Sequence, residues 1–200
     1  MKFKIYKYES LTSTNDKAIC FINDKKVKFG YIFSKSQTKG RGTRGKKWIS
    51  LKGNLFGSIF FPLKKNYPSF NEFAFVTPII IYNVINSFCK NSNLCLKWPN
   101  DILINKKKIC GILQEVIKKN DLNYLIIGMG INLIKNPNID DIKTSNILKE
   151  TNINIKRDII VRRIIRSYEK FFSKIGDYQF NDYKKKANLL SIKPSDLKWN

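Results

Sequence analysis

The chain has 200 residues, and its content of 42% hydrophobic and 13% aromatic residues predicts one folded domain with a sizeable core, which excludes a disordered chain. It contains no histidine, so every mechanism built on an imidazole base is excluded, including Ser-His and Cys-His nucleophile pairs. The net charge of +23 favours nucleic-acid binding, but the cations are scattered along the whole chain among abundant Asn and Ile. A basic nucleic-acid-binding module therefore stays open as an alternative function.

The first half of the chain predicts three strands and one helix before residue 62. Phe3, Ile5 and Tyr8 indicate a first strand, and Thr12 or Ser13 can cap a helix over residues 14–21. Apolar runs then predict strands over residues 31–34 and 55–61, the second ending at a proline.

The second half begins with a long helix over residues 69–89, which has apolar residues at helical spacing and a proline, Pro78, where we expect a kink. Four strands are predicted over residues 94–98, 101–104, 108–116 and 124–129, with tight turns at 105–107 and 119–121, which makes an antiparallel meander. An amphipathic helix over residues 158–172 follows, and Gly176 is expected to stop it. The order of elements predicts an α+β fold, in which helices cover a sheet.

Residues 40–48, which we call the basic loop, read Gly-Arg-Gly-Thr-Arg-Gly-Lys-Lys-Trp and indicate an anion-binding site. Glycine lets the backbone approach a ligand closely, and Arg and Lys supply charged hydrogen-bond donors. No acidic residue occurs between Asp24 and Glu72, so we expect a ligand or solvent to neutralise these cations. A solvated basic surface loop is the alternative interpretation.

The basic loop also matches two nucleotide motifs, which its context excludes. A dinucleotide-binding fingerprint needs a helix after its last glycine, but Lys52-Gly53-Asn54 follows closely and breaks a helix. A P-loop needs Ser or Thr after its lysine to hold magnesium, and Lys47 stands there instead.

A second informative stretch is Lys97-Trp98-Pro99-Asn100-Asp101, where a strand ends with a cation, an indole, an amide and a carboxylate close together. This mixture suits a binding or catalytic site. A strand-ending turn with Trp98 in the core explains the proline and the asparagine but not Lys97 and Asp101.

The motifs of this chain together resemble those of the biotin protein ligases, which activate biotin with ATP and attach it to a lysine of a carrier domain. Five matches occur in the family's order: Ser13-Thr14-Asn15, Gln37 with the basic loop, Lys97 to Asp101, the Lys-x-x-Gly-Ile-Leu-x-Glu strand from Lys108 to Glu115, and Gly128-Met129-Gly130-Ile131-Asn132. The resemblance covers about residues 5–190. The lipoate ligases, which lack the full Lys-Trp-Pro-Asn-Asp set, are the nearest alternative.

The resemblance implies a role for each matched position. Biotin contacts are implied for Ser13, Thr14, Asn15, Gln37, Gly40, Arg41, Gly42, Thr43, Lys108 and Gly111. ATP contacts are implied for Arg44, Lys46, Trp48, Asn100, Gly130 and Asn132. The implied catalytic set is Arg41, Lys97, Asp101 and Lys108, with Asp101 also the candidate ligand of Mg²⁺. At Thr43 and Lys46 many family members carry Arg instead.

The resemblance also implies a fold, a domain organisation and partners. The fold is a largely antiparallel mixed sheet flanked by helices, as in class II aminoacyl-tRNA synthetases and biotin synthetases. Residues 1–190 are expected to form the catalytic domain and 191–200 a C-terminal remnant without the usual small β-barrel. The expected partners are biotin, ATP with Mg²⁺ and a biotin carboxyl carrier protein. We expect no specific DNA or membrane partner, a monomer or homodimer, and a cytoplasmic location.

Overall fold

The computed structural model describes residues 1–24, 27–89, 92–193 and 195, and in these ranges one seven-stranded sheet is covered by five helices. The strands are β1 (Ile5–Tyr8), β2 (Gly30–Ser34), β3 (Leu55–Pro62), β4 (Leu94–Lys97), β5 (Asp101–Ile104), β6 (Lys107–Lys119) and β7 (Leu122–Ile131). The helices are α1 (Thr14–Asp24), α2 (Phe70–Asn86), α3 (Ile147–Thr151), α4 (Arg157–Ser173) and α5 (Phe180–Leu190).

The sheet has the strand order β1-β2-β3-β7-β6-β5-β4, and only the β1–β2 pair is parallel. The predicted antiparallel meander from β4 to β7 is confirmed. Its two tight turns contain consecutive residues with positive φ, Asn105 and Lys106 at 49° and 62° and Asn120 and Asp121 at 47° and 58°. Two such residues in a row are the signature of type I′ hairpin turns, whose twist matches that of the strands.

Side chains that alternate along the central strands divide the sheet into two faces. On one face Ile59 and Ile127 join the large core formed with α2 and α4. On the other face Phe60 and Ile126 join a smaller cluster with Ala18 of α1. Because α1 is short, it covers only part of its face and leaves the ends of β6 and β7 that lie nearest Gly111 and Gly130 free for a site.

The main packing helix, α2, begins with a capping box. The Ser69 hydroxyl accepts from the backbone N–H of Glu72 at 3.3 Å, and the Glu72 carboxylate accepts from the backbone N–H of Ser69 at 2.7 Å. Apolar residues from Phe73 to Ile85 then fill the core, and the helix continues through Pro78. The predicted helix is confirmed, with Ser69 as its cap.

Three features of the second half differ from the sequence prediction. Helices α3 and α5 were not predicted, although Tyr183, Ala187 and Leu190 place an apolar stripe along α5. The predicted stop at Gly176 is wrong, since α4 ends at Ser173, where Lys174 takes φ −114° and ψ 25°. Gly176 lies in a short 3₁₀ turn that follows. No helix within the described ranges is both long and apolar enough to cross a bilayer.

Candidate active site

A cavity of about 580 Å³ opens on the α1 face of the sheet, in the size range of small-molecule sites. Its floor is formed by β6 and β7, and the N-terminal turn of α1 closes one side. Two segments roof it: the basic loop, and residues 133–146, which we call the wall loop. The start of α1, the basic loop, the β6–β7 hairpin and the wall loop that follows β7 therefore meet at one concave site.

Three glycines of the floor make room for side chains that lie across it. A Cβ on Gly128 would lie 2.3 Å from Oδ1 of Asn15. A Cβ on Gly111 or Gly130, which are register partners, would lie 2.6 Å or 2.2 Å from the indole of Trp48. The resemblance implies a biotin contact at Gly111; in this structure the group that lies close to Gly111 is the indole of Trp48.

Hydroxyl and amide groups form a connected network at the α1 end of the cavity. The buried Ser58 hydroxyl lies 2.8 Å from Oγ1 of Thr14 and 2.5 Å from Oδ1 of Asn15. Gln37 accepts from the backbone N–H of Thr14 at 2.8 Å and donates to the Ser50 hydroxyl at 3.1 Å. Such a network holds neutral donors and acceptors in fixed directions.

The basic loop is held down by two acidic residues from other elements. Arg41 makes a bidentate contact with Glu115 of β6 at 2.7 and 2.8 Å and a second ion pair with Asp16 of α1 at 2.8 Å. The hydrogen bond that Arg41 donates to Glu115 is the main cause that raises the pKa of Arg41, so this guanidinium stays charged. The expectation that only ligand or solvent neutralises the loop is wrong for Arg41, because the fold supplies carboxylates that are remote in sequence.

The loop itself closes as a narrow hairpin. The Gly42 N–H donates to the Lys46 carbonyl at 2.7 Å, and the Trp48 N–H donates to the Gly40 carbonyl at 2.9 Å. Between them Arg44 and Gly45 have φ of 54° and 73°, which places a left-handed turn at the tip. This turn directs Thr43 and Lys46 to the cavity, whereas Arg44 is exposed.

The ammonium group of Lys108 lies beside the indole of Trp48. Lys108 forms an ion pair with Asp101 at 2.8 Å, and its Nζ lies 5.6 Å from the centre of the Trp48 ring. The side chains of Lys108 and Asp101 are 20% and 17% exposed, so the pair is partly desolvated. Lys108 lines the cavity, and Asp101 pairs with Lys108 from a position that does not line the cavity.

The wall loop is fastened by buried amides. Oδ1 of Asn54 accepts from the backbone N–H groups of Leu133, Ile134 and Lys135 at 3.0 to 3.2 Å. Nδ2 of Asn132 donates to the Ser145 carbonyl at 3.1 Å. The amide of Asn132, predicted to contact ATP, is therefore already used to hold this wall.

Glu150 ties the far end of the wall loop to the β5–β6 turn. Its carboxylate accepts from Ser145 at 2.5 Å, Asn105 at 2.7 Å and Lys107 at 2.9 Å. Burial favours the neutral acid, but these hydrogen bonds and the charge of Lys107 outweigh it and lower the pKa of Glu150 to about 2.

Most of the positions predicted to form the site surround this cavity. Those that line it are Ser13, Thr14, Asn15, Gln37, Arg41, Gly42, Thr43, Lys46, Trp48, Asn100, Lys108, Gly111, Gly130 and Asn132. Four predicted positions are not among the described residues that line it: Gly40, Arg44, Lys97 and Asp101. Gly40 instead closes the base of the loop, and Lys97 faces Asp101 across the β4–β5 ladder.

Trp98 does not lie in the core, where the alternative interpretation as a strand-ending turn places it. It is 53% exposed and packs against Phe75 with ring centres 5.6 Å apart, so it is neither a wall of the cavity nor part of the core. The strand before it ends at Lys97, one residue earlier than predicted.

Sequence reasoning gave no role to four residues that build the site: Asp16, Asn54, Ser58 and Glu115. Ser58 was detectable as a lone hydroxyl within the apolar run of β3. Glu115 was detectable by strand periodicity, because it shares a face with Gly111. Asp16 and Asn54 carried no such signal, since their partners are remote in sequence.

The fold is that of the class II synthetase-like biotin protein ligases. The structure aligns with the biotin protein ligase of Leishmania major in complex with biotinyl-5-AMP with a TM-score of 0.82 and 23% identity, over 94% of this chain and 81% of that one. It aligns with the Aquifex aeolicus ligase in complex with biotin and ATP with a TM-score of 0.78 and 23% identity, over 94% and 78%.

The chain belongs to the biotin/lipoate A/B protein ligase family, whose model matches residues 7–132. It is 29% identical over 109 residues to the biotin–[acetyl-CoA-carboxylase] ligase of Paracoccus denitrificans, which is 54% of this chain and 45% of the relative. It is 31% identical over 134 residues to the bifunctional ligase/repressor BirA of Escherichia coli, which is 65% of this chain and 41% of the relative. The chain thus spans less than half the length of these two relatives.

Proposed function

We propose that the chain is a biotin–protein ligase, which makes biotinyl-5′-AMP and pyrophosphate from biotin and ATP and then transfers biotin to a lysine of a biotin carboxyl carrier protein. The observation that carries the proposal is the order of groups along one cavity. Neutral amides and hydroxyls lie at the α1 end, an indole lies over Gly111 and Gly130, and the Lys108 ammonium lies beside that indole.

This order matches the chemistry of biotin. Its ureido ring carries two N–H donors and one carbonyl, all of which need partners once buried, and the network of Thr14, Asn15 and Gln37 offers both donors and acceptors. Its apolar rings and chain suit the indole and the glycine floor. Its carboxylate would meet Lys108. Gly128, at the amide end of the cavity, and Gly130, at the indole end, are two residues apart on β7, which is about 7 Å along the strand.

The first reaction step needs no general base. The carboxylate of biotin is ionised at neutral pH and attacks the α-phosphorus of ATP, forming the acyl-phosphate bond as the bond to pyrophosphate breaks. The residues have to position the reactants and offset charge on the phosphates. We assign this role to Lys108 and Lys46, which line the cavity, because Arg41 is held by two carboxylates, Glu115 and Asp16, and Lys108 by one, Asp101.

Mg²⁺ is proposed to accompany ATP. The described residues contain no group of three or more potential metal-ligating side chains, and Asp101 would hold a metal only by giving up its ion pair with Lys108. The metal is therefore assigned to the phosphates, and Asp101 to the positioning of Lys108.

In the second step the amine of a carrier lysine attacks the acyl carbon and AMP leaves. An amine with a pKa of about 10.4 must first lose a proton, at a free-energy cost of about 5 kcal/mol at pH 7. The excess of positive charge on this chain favours an acidic face on the carrier. Residues 1–190 are proposed as the catalytic unit, acting as a monomer or homodimer without specific DNA binding.

Biotin-dependent exchange of labelled pyrophosphate into ATP tests the first step directly. The wild-type chain is expected to catalyse exchange with biotin and not with lipoate, the acid used by the other ligases of this family. Lys108→Ala and Asp101→Ala are expected to lower the exchange rate at least about a hundredfold while the chain stays folded.

Lys118→Ala is the matched control, because Lys118 lies on the same strand in an exposed pair with Asp121. Its exchange rate should equal that of wild type. Normal exchange by Lys108→Ala would contradict the role of Lys108, and exchange with lipoate instead of biotin would contradict the proposed substrate.

A further inference from the structure

Glu115 is the point where α1, β6 and the basic loop meet. Its Oε2 accepts from Nδ2 of Asn15 at 2.6 Å, while Oε1 and Oε2 accept from the two terminal nitrogens of Arg41 at 2.7 and 2.8 Å. The Glu115 side chain is 25% exposed, so these charged hydrogen bonds are partly shielded from solvent.

The contact with Glu115 decides which way the Asn15 amide faces. Oδ1 of Asn15 lies 2.5 Å from the Ser58 hydroxyl, and the room for it exists only because residue 128 is glycine. Rotating the amide by half a turn would place Oδ1 against the Glu115 carboxylate, which is repulsive because both atoms are acceptors. The amide is thus fixed with one N–H on Glu115 and a second N–H left over.

We propose that Glu115 is a positioning residue for substrate recognition: it orients the Asn15 amide so that its second N–H donates to the ureido carbonyl, and it couples this orientation to closure of the basic loop through Arg41. This inference rests on the proposed function. Asp16 serves as a comparison within the site, because it pairs with Arg41 at 2.8 Å, whereas the Asn15 amide is held by Glu115.

The coupling follows from the shared carboxylate. When Arg41 leaves Glu115, the carboxylate loses two charged donors and its position relative to Asn15 is no longer fixed. When Asn15 is turned by a ligand, the carboxylate that holds Arg41 shifts with it. Ligand binding at the α1 end and closure of residues 40–48 therefore depend on one side chain.

Calorimetric titration with biotin, combined with steady-state kinetics, tests the proposal on the whole chain. Glu115→Gln keeps the shape of the side chain but can satisfy only one of its two partners, so the dissociation constant for biotin is expected to rise about tenfold. Asp16→Asn keeps Glu115 in place and is expected to change it less than about threefold. Glu9→Gln, which removes the same charge from an exposed pair with Lys35, is the matched control and should change nothing.

Two further readouts separate positioning from general damage to the fold. Glu115→Gln should raise the KM for biotin while leaving the KM for ATP within about twofold, whereas damage to the fold would move both. In an Asn15→Ala background the effect of Glu115→Gln on biotin binding should shrink below about threefold. The same tenfold loss in both backgrounds, or no loss in either, would overturn the positioning role while leaving biotin binding by the wild type intact. Absence of biotin binding by the wild type would overturn the proposed function and, with it, this inference.

Discussion

Two loops roof the same cavity, and they are held by different kinds of contact. The basic loop is fastened by Arg41, a side chain 38% exposed, through ion pairs with Glu115 and Asp16. The wall loop is fastened by Asn54, which is fully buried, through three backbone N–H groups. The basic loop is therefore held by contacts that can be broken separately from the fold, whereas the wall loop is a fixed part of the fold.

The energies of these contacts explain the difference. Ion pairs at the surface contribute about 0–1 kcal/mol to stability and weaken as salt is added. A buried polar group that loses its partner costs about 1–3 kcal/mol. Opening the basic loop therefore costs little free energy, whereas releasing the wall loop costs more.

The largest expected effect comes from Asn54→Ala. It removes the acceptor of three backbone N–H groups, so the free energy of unfolding is expected to fall by about 4 kcal/mol. Chemical denaturation measures this loss. Asn54→Asp loses the donors to the Lys135 carbonyl and to Oδ1 of Asn132, but it keeps an acceptor for the three N–H groups and should therefore lose less. An equal loss in both variants would contradict the anchoring role of Oδ1.

The next effect is the pH dependence of the Glu150 anchor. A carboxyl whose pKa falls from about 4.3 in the unfolded chain to about 2 in the fold stabilises the fold above the unfolded pKa. This contribution, on the order of 3 kcal/mol, is lost as pH falls from about 5 toward 2. Denaturation of wild type and Glu150→Gln should therefore differ most at neutral pH and converge in acid. A gap that is constant with pH would contradict the lowered pKa.

The smallest effect is expected from Asp16→Asn on stability. The side chains of Asp16 and Arg41 are 44% and 38% exposed, so breaking their pair should change the free energy of unfolding by less than about 1 kcal/mol. The difference from wild type should shrink further at high salt, as measured by denaturation at two ionic strengths. If Asp16→Asn lowered the free energy of unfolding as much as Asn54→Ala, the proposed difference between the basic loop and the wall loop would be contradicted.

The strands that form the floor of the site were predictable from the sequence, but the contacts that hold the two loops over the floor were not. The strands that carry Lys108, Gly111 and Gly130 follow from alternation and turn residues, and the α1 end follows from its cap and motif. The glycines and cations of the basic loop predict an anion-binding site, and several of its residues, among them Arg41, Thr43 and Lys46, line the cavity.

What could not be predicted depends on which segments fold next to each other. Asp16 and Glu115 neutralise Arg41 from 25 and 74 residues away in sequence. At such separations the pattern of charges along the chain does not predict which residues form ion pairs. The wall loop has no apolar periodicity, so neither its place over the cavity nor its anchor, Asn54, was visible. The predicted ATP contacts of Arg44 and Asn132 remain predictions, since Arg44 is exposed and the Asn132 amide holds Ser145.

One calorimetric titration of the wild-type chain with biotin, repeated with lipoate, tests the proposed function most directly. We expect saturable one-to-one binding of biotin and none of lipoate, because the network of Thr14, Asn15 and Gln37 offers neutral donors and acceptors suited to a ureido ring. Binding of lipoate without biotin, or no heat with either acid, would contradict it.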